Sequence, residues 1–169
     1  TYNEAVDIEV SGVDSAHIRI VGQGRVVVSG EGIDRDGVVL RPGASFLELE
    51  GLRITGFFGR WGLALYGGNN HIRLRGIEVD HCEAGIRVTV GGSGESPEFG
   101  RVEYTALEDV YVHHNTVGGF DCTPGPCYHL VVGNSEFAYN GVEAGFGADG
   151  FAVEIGDHIL VEKVRSHHN

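Results

Sequence analysis

Short runs of alternating apolar and polar residues recur along the whole chain. Five of these runs align with one another, and they end at Phe57, Cys82, Asn115, Asn140 and Asn169, so that successive ends are 25, 33, 25 and 29 residues apart. Alternation with a period of two is typical of β-strands that bury one face. Strands that recur with a period of about 25 residues predict a solenoid.

A second short strand begins just after a glycine that follows each of the first four aligned runs, and the same feature occurs one coil earlier. These glycines are Gly37, Gly62, Gly85, Gly119 and Gly150. One coil of this kind cannot bury its inward face alone, whereas stacked coils share a continuous core and pair their backbones. The sequence therefore predicts a parallel β-helix. A β-sandwich is the alternative, because it also uses short alternating strands.

Asparagine occupies the same turn position in three coils, at Asn115, Asn140 and Asn169. Asparagine tolerates the left-handed backbone conformation, and its side-chain amide can both donate and accept hydrogen bonds. We therefore expect an asparagine ladder in which each side chain bonds to the next along the solenoid axis.

Composition supports many turns and an acidic surface. Glycine accounts for 28 of the 169 residues, and 24 acidic against 12 basic side chains give a formal charge of −12. That charge disfavours nucleic acid as a partner. No apolar stretch reaches the roughly 18–20 residues that a membrane-spanning helix needs, so no membrane span is expected.

The three cysteines divide into a close pair and one distant residue. Cys122 and Cys127 bracket a Thr-Pro-Gly-Pro turn that could bring the two sulfurs together, and Cys82 is expected to pack inside a coil. A disulfide between the pair would suit an extracytoplasmic protein. Two reduced thiols in a loop are the alternative.

Three longer connections interrupt the rhythm of the repeat. They are Gly91–Glu103, Thr123–Pro126 and Val142–Ala148. Insertions on one side of a solenoid often build its binding face, although variation in loop length alone is the simpler explanation.

The chain resembles the right-handed parallel β-helix repeat proteins of the pectate-lyase-like superfamily. The resemblance lies in Tyr2-Asn-Glu-Ala-Val6, in the glycine strand openings and in the His-His-Asn turns. It implies a right-handed, all-β solenoid of about six coils of roughly 25 residues, forming a single domain over residues 1–169. In such proteins a cap and an earlier coil precede the first segment, and Ser166-His-His-Asn169 leads into a further coil. We therefore expect a fragment without caps, or end-to-end or lateral self-association through its exposed ends.

More narrowly, Ala148-Asp-Gly-Phe-Ala152 is similar to a segment of the family 9 polysaccharide lyases. In that family the matching aspartate belongs to a calcium cluster, which makes Asp149 a candidate calcium ligand. That family usually has lysine where this chain has Glu154, and its remaining calcium aspartates follow the position equivalent to Asn169. The resemblance by itself thus implies an incomplete active site.

Carboxylates near Asp149 extend this metal hypothesis. Asp149 and Glu154 flank one strand, and Asp121 occupies the equivalent region one coil earlier. Neighbouring coils lie about 4.8 Å apart, so these side chains could together supply some of the six to eight oxygen ligands of calcium. Such a site could hold calcium against the carboxylate of a uronic acid. Solvated surface acids are the alternative.

A β-elimination would also need a base. Lys163 and Arg165 alternate on the strand after Asp149 and are the catalytic candidates, although a charged face in contact with solvent explains them better. Arginine in particular is hard to deprotonate.

Paired histidines invite a metal hypothesis as well. His113-His114 and His167-His168 occupy matching turns, and His81 lies at the same place in an earlier coil. Neighbouring residues on a strand point to opposite faces, so such a pair is not expected to chelate one ion. We predict instead that His81, His114 and His168 stack across coils.

Two functions are consistent with these features. The first is an extracellular or cell-surface carbohydrate-active protein, a calcium-dependent polysaccharide lyase or epimerase relative that acts on acidic polysaccharide. The second is a non-catalytic solenoid that serves as a surface scaffold, adhesin or filament subunit. The fold alone does not decide between them. A basic side chain close to Asp121, Asp149 and Glu154 would favour the first.

Overall fold

The structure is a computed structural model, and it describes residues 1–89, 100–123, 126–141 and 149–169. In these ranges the chain forms short β-strands joined by turns, and no helix is found. The strands are β1 (Tyr2–Asn3), β2 (Val6–Ile8), β3 (Ile18–Ser29), β4 (Val38–Leu40), β5 (Ser45–Thr55), β6 (Trp61–Tyr66), β7 (Asn70–Arg75), β8 (Glu78–Asp80), β9 (Ala84–Thr89), β10 (Val102–Glu108), β11 (Tyr111–His113), β12 (Gly118–Cys122), β13 (Cys127–Gly133), β14 (Glu136–Ala138), β15 (Phe151–Val153), β16 (Gly156–Asp157), β17 (Leu160–Glu162) and β18 (Arg165–His167).

Every pairing between these strands is parallel. Six strands form one sheet in the order β15-β12-β9-β6-β4-β2, and twelve form a second sheet. A β-sandwich is built from antiparallel sheets, so that alternative is excluded. The predicted parallel β-helix of about six turns is confirmed.

The twelve-stranded sheet has two arms that meet in β5. The first half of β5 pairs with β7, and its second half pairs with β8. The first arm continues through β10 and β13 to β16 and β17, and the second continues through β11 and β14 to β18. The six-stranded sheet provides the third side of the coil. The coil thus has three sides, which are the first arm, the second arm and the six-stranded sheet.

Alternation within each strand fills the interior with stacked apolar columns. In the six-stranded sheet Leu63, Ile86, Phe120 and Phe151 are register partners from one coil to the next. The first three are at most 1% exposed. Burial of such a side chain stabilises the fold by roughly 1.5–3 kcal/mol. Cys82 is also fully buried, as the sequence predicted.

Left-handed residues form columns at the corners of the coil. Three corners carry them, and the twelve residues other than glycine are Phe46, His71, Tyr104, His129 and His158 at the first, Asp109, Asn134 and Lys163 at the second, and His81, His114, Tyr139 and His168 at the third. Aromatic rings stack along the first and third columns. Left-handed backbone is costly for such residues, and this repeated stacking favours it at the corners.

The predicted asparagine ladder is present. Asn115 Nδ2 donates to Asn140 Oδ1 at 2.9 Å, and Asn140 Nδ2 donates to Asn169 Oδ1 at 3.1 Å. Each amide also donates to a backbone carbonyl of the preceding coil. The left-handed residue is not the asparagine itself but its predecessor, for example His114. The ladder therefore depends on the amide chemistry of asparagine and not on its backbone tolerance.

Cys122 and Cys127 form a disulfide that joins the end of β12 to the start of β13, with their Cα atoms 6.4 Å apart. Of the three predicted insertions, residues 91–99, 124–125 and 142–148 lie outside the described residues. The described part of the chain contains no helix that is long and apolar enough to cross a membrane.

Candidate functional site

An open groove of about 460 Å³ lies on the six-stranded sheet beside β12 and β15. Phe120 and Cys122 point into the core, so Asp121 between them points outward. Asp149 precedes β15 and Glu154 follows it. The structure thus brings these three predicted metal ligands to one groove. The other residues lining the groove are Ala84, Val117, Gly118, Phe120, Thr123, Phe151, Ala152 and Val153.

Arg87 is the cation beside this groove. It is the register partner of Asp121 on β9, and its Nη1 donates to Asp121 Oδ2 at 2.7 Å. Its Nη2 donates to the carbonyl of Thr123, whose hydroxyl donates to the second oxygen of Asp121. The guanidinium also lies 4.8 Å from the centre of the Trp61 ring, which is a cation–π contact. Asp121 is therefore already neutralised by a neighbouring side chain.

Sequence reasoning missed Arg87, although the aligned repeat contained the signal. The strand openings Gly85-Ile-Arg-Val and Gly119-Phe-Asp-Cys place Arg87 and Asp121 at the same outward position in successive coils. Trp61 gave no such signal, because the contact depends on the path of the long Arg87 side chain across the sheet.

The carboxylates of Asp121, Asp149 and Glu154 line the groove without converging on one point. Among the described residues, one group of three ligand side chains has its ligand atoms within 4.8 Å of one another, and that group is Glu78, Asp80 and His113. Asp149 and Glu154 are exposed. Because calcium needs six to eight oxygen ligands around one centre, the three carboxylates as placed do not form a complete calcium site. The calcium assignment stays a prediction.

Lys163 and Arg165 do not line the groove. Lys163 lies at the corner between β17 and β18 with a φ of 55°, so strand alternation does not govern its direction. Arg165 begins β18 in the second arm of the twelve-stranded sheet, where its Nη1 lies 4.0 Å from Glu136 Oε2. The structure therefore separates these catalytic candidates from Asp121. Their role as a base stays a prediction.

A second charged cluster lies on that second arm, around Arg53. Its Nε is 2.7 Å from Asp80 Oδ2 and 3.3 Å from Glu78 Oε1. Burial of Asp80 opposes its ionisation, but hydrogen bonds from Arg53, Thr55 and His81 outweigh that effect and lower the pKa of Asp80 to about 2. The guanidinium thus supplies the positive charge among these carboxylates.

Histidines continue this cluster along the third corner. His81, His114, Tyr139 and His168 stack in succession, which confirms the predicted stacking across coils. His113, on the neighbouring strand position, has its Nε2 3.3 Å from Glu78 Oε1. Burial lowers the pKa of His113 and outweighs the opposite effect of Glu78.

No family model matches this sequence, and no curated protein is significantly similar to it. Among solved structures, the crystal structure of pectate lyase Pel9A superposes on 98% of this chain with a TM-score of 0.52. This is a pectate-lyase-like parallel β-helix fold. Sequence identity to Pel9A is 14%, and the chain spans about half the length of that structure (50%). At this identity the comparison establishes the fold alone, and the pectate-lyase-like fold carries no assignment of substrate.

Proposed function

We propose that this chain is a carbohydrate-active β-helix protein, extracellular or at the cell surface, that binds an acidic polysaccharide along the groove beside β12 and β15. The observation that carries the proposal is that Asp121, Asp149 and Glu154 all line one open groove of a β-helix. An open groove on a sheet face is accessible to a polymer. The disulfide Cys122–Cys127 supports the extracytoplasmic location.

The groove chemistry suits a ligand rich in hydroxyl groups. Carboxylates accept strong hydrogen bonds from hydroxyls, and within the described residues no side-chain partner engages Asp149 or Glu154. Arg87 already neutralises Asp121, which reduces the repulsion that an acidic polymer would meet. Repulsion from Asp149 and Glu154 remains, so we expect uronan binding to require a divalent cation such as calcium.

Affinity electrophoresis and calorimetry with polygalacturonate and alginate would test this proposal, each in calcium and in EDTA. We expect binding in calcium and little in EDTA. The double variant D149N/E154Q should weaken binding by at least tenfold, whereas E31Q, an exposed acid in the turn before β4, should leave it unchanged. Equal binding by both variants, or no binding to any polyuronate, would contradict the proposal.

If the protein is an enzyme, the proposal implies a polysaccharide lyase. The groove supplies carboxylates for such a reaction, but its described lining does not supply a base. None of the described residues that line the groove is Lys, Arg or His. Arg87 lies beside the groove, but it already pairs with Asp121 and is hard to deprotonate, so it is a poor base. This favours the second candidate function, a non-catalytic solenoid that binds polysaccharide as a surface scaffold or adhesin. Ultraviolet absorbance of the unsaturated product separates the two. Product formation with any uronan establishes a lyase, whereas binding without product supports the scaffold.

A further inference from the structure

Two pairs of consecutive histidines bring their ring nitrogens together on the second arm of the twelve-stranded sheet. His113 Nδ1 lies 2.8 Å from His114 Nδ1, and His167 Nδ1 lies 2.7 Å from His168 Nδ1. Side chains of neighbouring strand residues would point apart. Here the left-handed backbone of His114 and His168, at φ values of 53° and 55°, turns the second ring onto the same side as the first. The two rings of each pair therefore do not point to opposite faces, which was the reason for expecting no chelation.

A carboxylate lies behind the first histidine of each pair. His113 Nε2 is 3.3 Å from Glu78 Oε1, and His167 Nε2 is 3.2 Å from Glu136 Oε1. A carboxylate accepts a hydrogen bond, so it keeps the ring proton on Nε2 and leaves a lone pair on Nδ1. A carboxylate behind an imidazole in this way is the usual support of a histidine metal ligand.

Neighbouring rings hold both histidines of the first pair in place. His113 stacks on Tyr111 at 4.0 Å between ring centres, and His114 lies between His81 and Tyr139 in the corner stack. The two rings of the pair are nearly perpendicular, at 87°. In the second pair His168 stacks on the other face of Tyr139, and its ring makes an angle of 81° with that of His167. The nitrogen donors are therefore preorganised.

The separation of the nitrogens is that of a hydrogen bond in the metal-free protein, and it is also short enough for both atoms to bind one ion. Two ligands about 2.0 Å from a metal lie about 2.8 Å apart at an angle of 90°, but about 3.3 Å apart at a tetrahedral angle. Right-angled nitrogen coordination is typical of Cu(II) and Ni(II). We propose that His113 with His114, and His167 with His168, each bind one divalent transition-metal ion of the copper and nickel class through their Nδ1 atoms.

Proton positions are consistent with such binding. Without metal, the Nδ1–H of His114 donates to the lone pair of His113 Nδ1. When metal binds, the proton of His114 moves from Nδ1 to its exposed Nε2, and both Nδ1 lone pairs face the ion. Water supplies the remaining ligands. The same exchange applies to His167 and His168.

These sites are distinct from the Glu78, Asp80 and His113 group, which uses the opposite nitrogen of His113 and contains the Arg53 guanidinium. The other coils of the same corner lack a second imidazole. Asp80 replaces the first histidine beside His81, and Ala138-Tyr139 occupies the coil between the two pairs. In the described coils the pairing is therefore limited to two places.

The test is a titration of the full chain with Cu(II), followed by calorimetry and by electron paramagnetic resonance. H114F and H168F keep a ring for the corner stack and remove one nitrogen donor from each pair. H129F, in the stack of the first corner between Tyr104 and His158, is the matched control. We expect wild type and H129F to bind two ions with hyperfine coupling to imidazole nitrogen. H114F and H168F should each bind one ion, and the double variant none.

E78Q gives an independent readout, because Glu78 lies behind His113 and not behind His167. It should raise the Kd of the ion at the His113 pair by about tenfold without changing the number of ions bound. Thermal unfolding followed by circular dichroism identifies any variant that fails to fold. The proposal is overturned if the folded double variant binds as much Cu(II) as wild type, or if the bound copper shows no nitrogen coupling.

Discussion

Arg87 donates a 2.7 Å hydrogen bond to Asp121 across two neighbouring coils, at the edge of the candidate groove. Both side chains are about one-quarter exposed or less. The pair therefore has two effects. It stabilises the junction between β9 and β12, and it removes one negative charge from a surface on which two other carboxylates stand exposed.

Removal of the Arg87 guanidinium should show how much the pair stabilises the junction between β9 and β12. We expect R87M to lower the free energy of unfolding by about 1–3 kcal/mol, because Asp121 would be left partly buried without its charged partner. D121N should lower the free energy of unfolding by less than R87M does. In a double-mutant cycle measured by urea unfolding, the coupling energy should be at least about 0.5 kcal/mol. Strict additivity of the two substitutions would show that the pair is not energetically coupled.

Loss of one buried amide from the asparagine ladder should lower the free energy of unfolding by more than loss of the Arg87 guanidinium does. Asn140 is fully buried, donates to Val112 and Asn169 and accepts from Asn115. N140A should lower the free energy of unfolding by about 2–4 kcal/mol, because several buried donors and acceptors lose their partner together. Chemical denaturation measures this loss. N3A, at the exposed start of the chain, is the control and should change stability by less than about 0.5 kcal/mol.

Acid should weaken the fold through Asp80. Its pKa is about 2 in the folded protein against an ordinary value of 3.8. A lowered folded pKa means that the charged carboxylate contributes stability above about pH 4, and that this contribution is lost as the pH falls towards 2. The shift corresponds to about 2 kcal/mol.

Urea unfolding of wild type and D80N between pH 7 and pH 2 checks this prediction. The difference in stability between the two proteins should be largest near neutral pH and should shrink below pH 4. A difference that stays constant to pH 2 would show that the ionised Asp80 is not the source of the stabilisation.

Cys82 should be chemically inert while the protein is folded. Its thiol is fully buried, and burial raises its pKa to about 12. Only the thiolate reacts with iodoacetamide. Mass spectrometry should find no adduct on the native protein at pH 8, one adduct after unfolding, and three after unfolding with reductant because of the Cys122–Cys127 disulfide. Rapid alkylation of the native protein would contradict the buried position.

The sequence was sufficient to predict the repeat and much of its register. A spacing of about 25 residues and an apolar alternation fix which residues face inward, and the amides of Asn115 and Asn140 could only form a ladder if their coils were stacked. The corners were harder to predict. Left-handed backbone at His114 is favoured by the stacking of rings, and at Lys163 it accompanies the turn between β17 and β18, and neither is encoded in a period of two.

The difficulty of predicting the corners also affected the candidate sites. Asp121, Asp149 and Glu154 were found from their positions in the repeat, and the structure places them on one groove. Lys163 and Arg165 were assigned to a common face by strand alternation, which fails where the chain turns between β17 and β18. The His113 and His114 rings were expected to point to opposite faces for the same reason, whereas the left-handed corner reverses the direction of the second side chain.

The most direct test of the account is to map where an acidic polysaccharide binds. Hydrogen–deuterium exchange should be measured with and without oligogalacturonate, in the presence of calcium, and compared across the three sides of the coil. We predict slower exchange in β12 and β15 and in the residues around Asp149, with no change in β8, β11 and β14. Protection confined to the second arm of the twelve-stranded sheet, or no protection anywhere, would contradict the proposed groove.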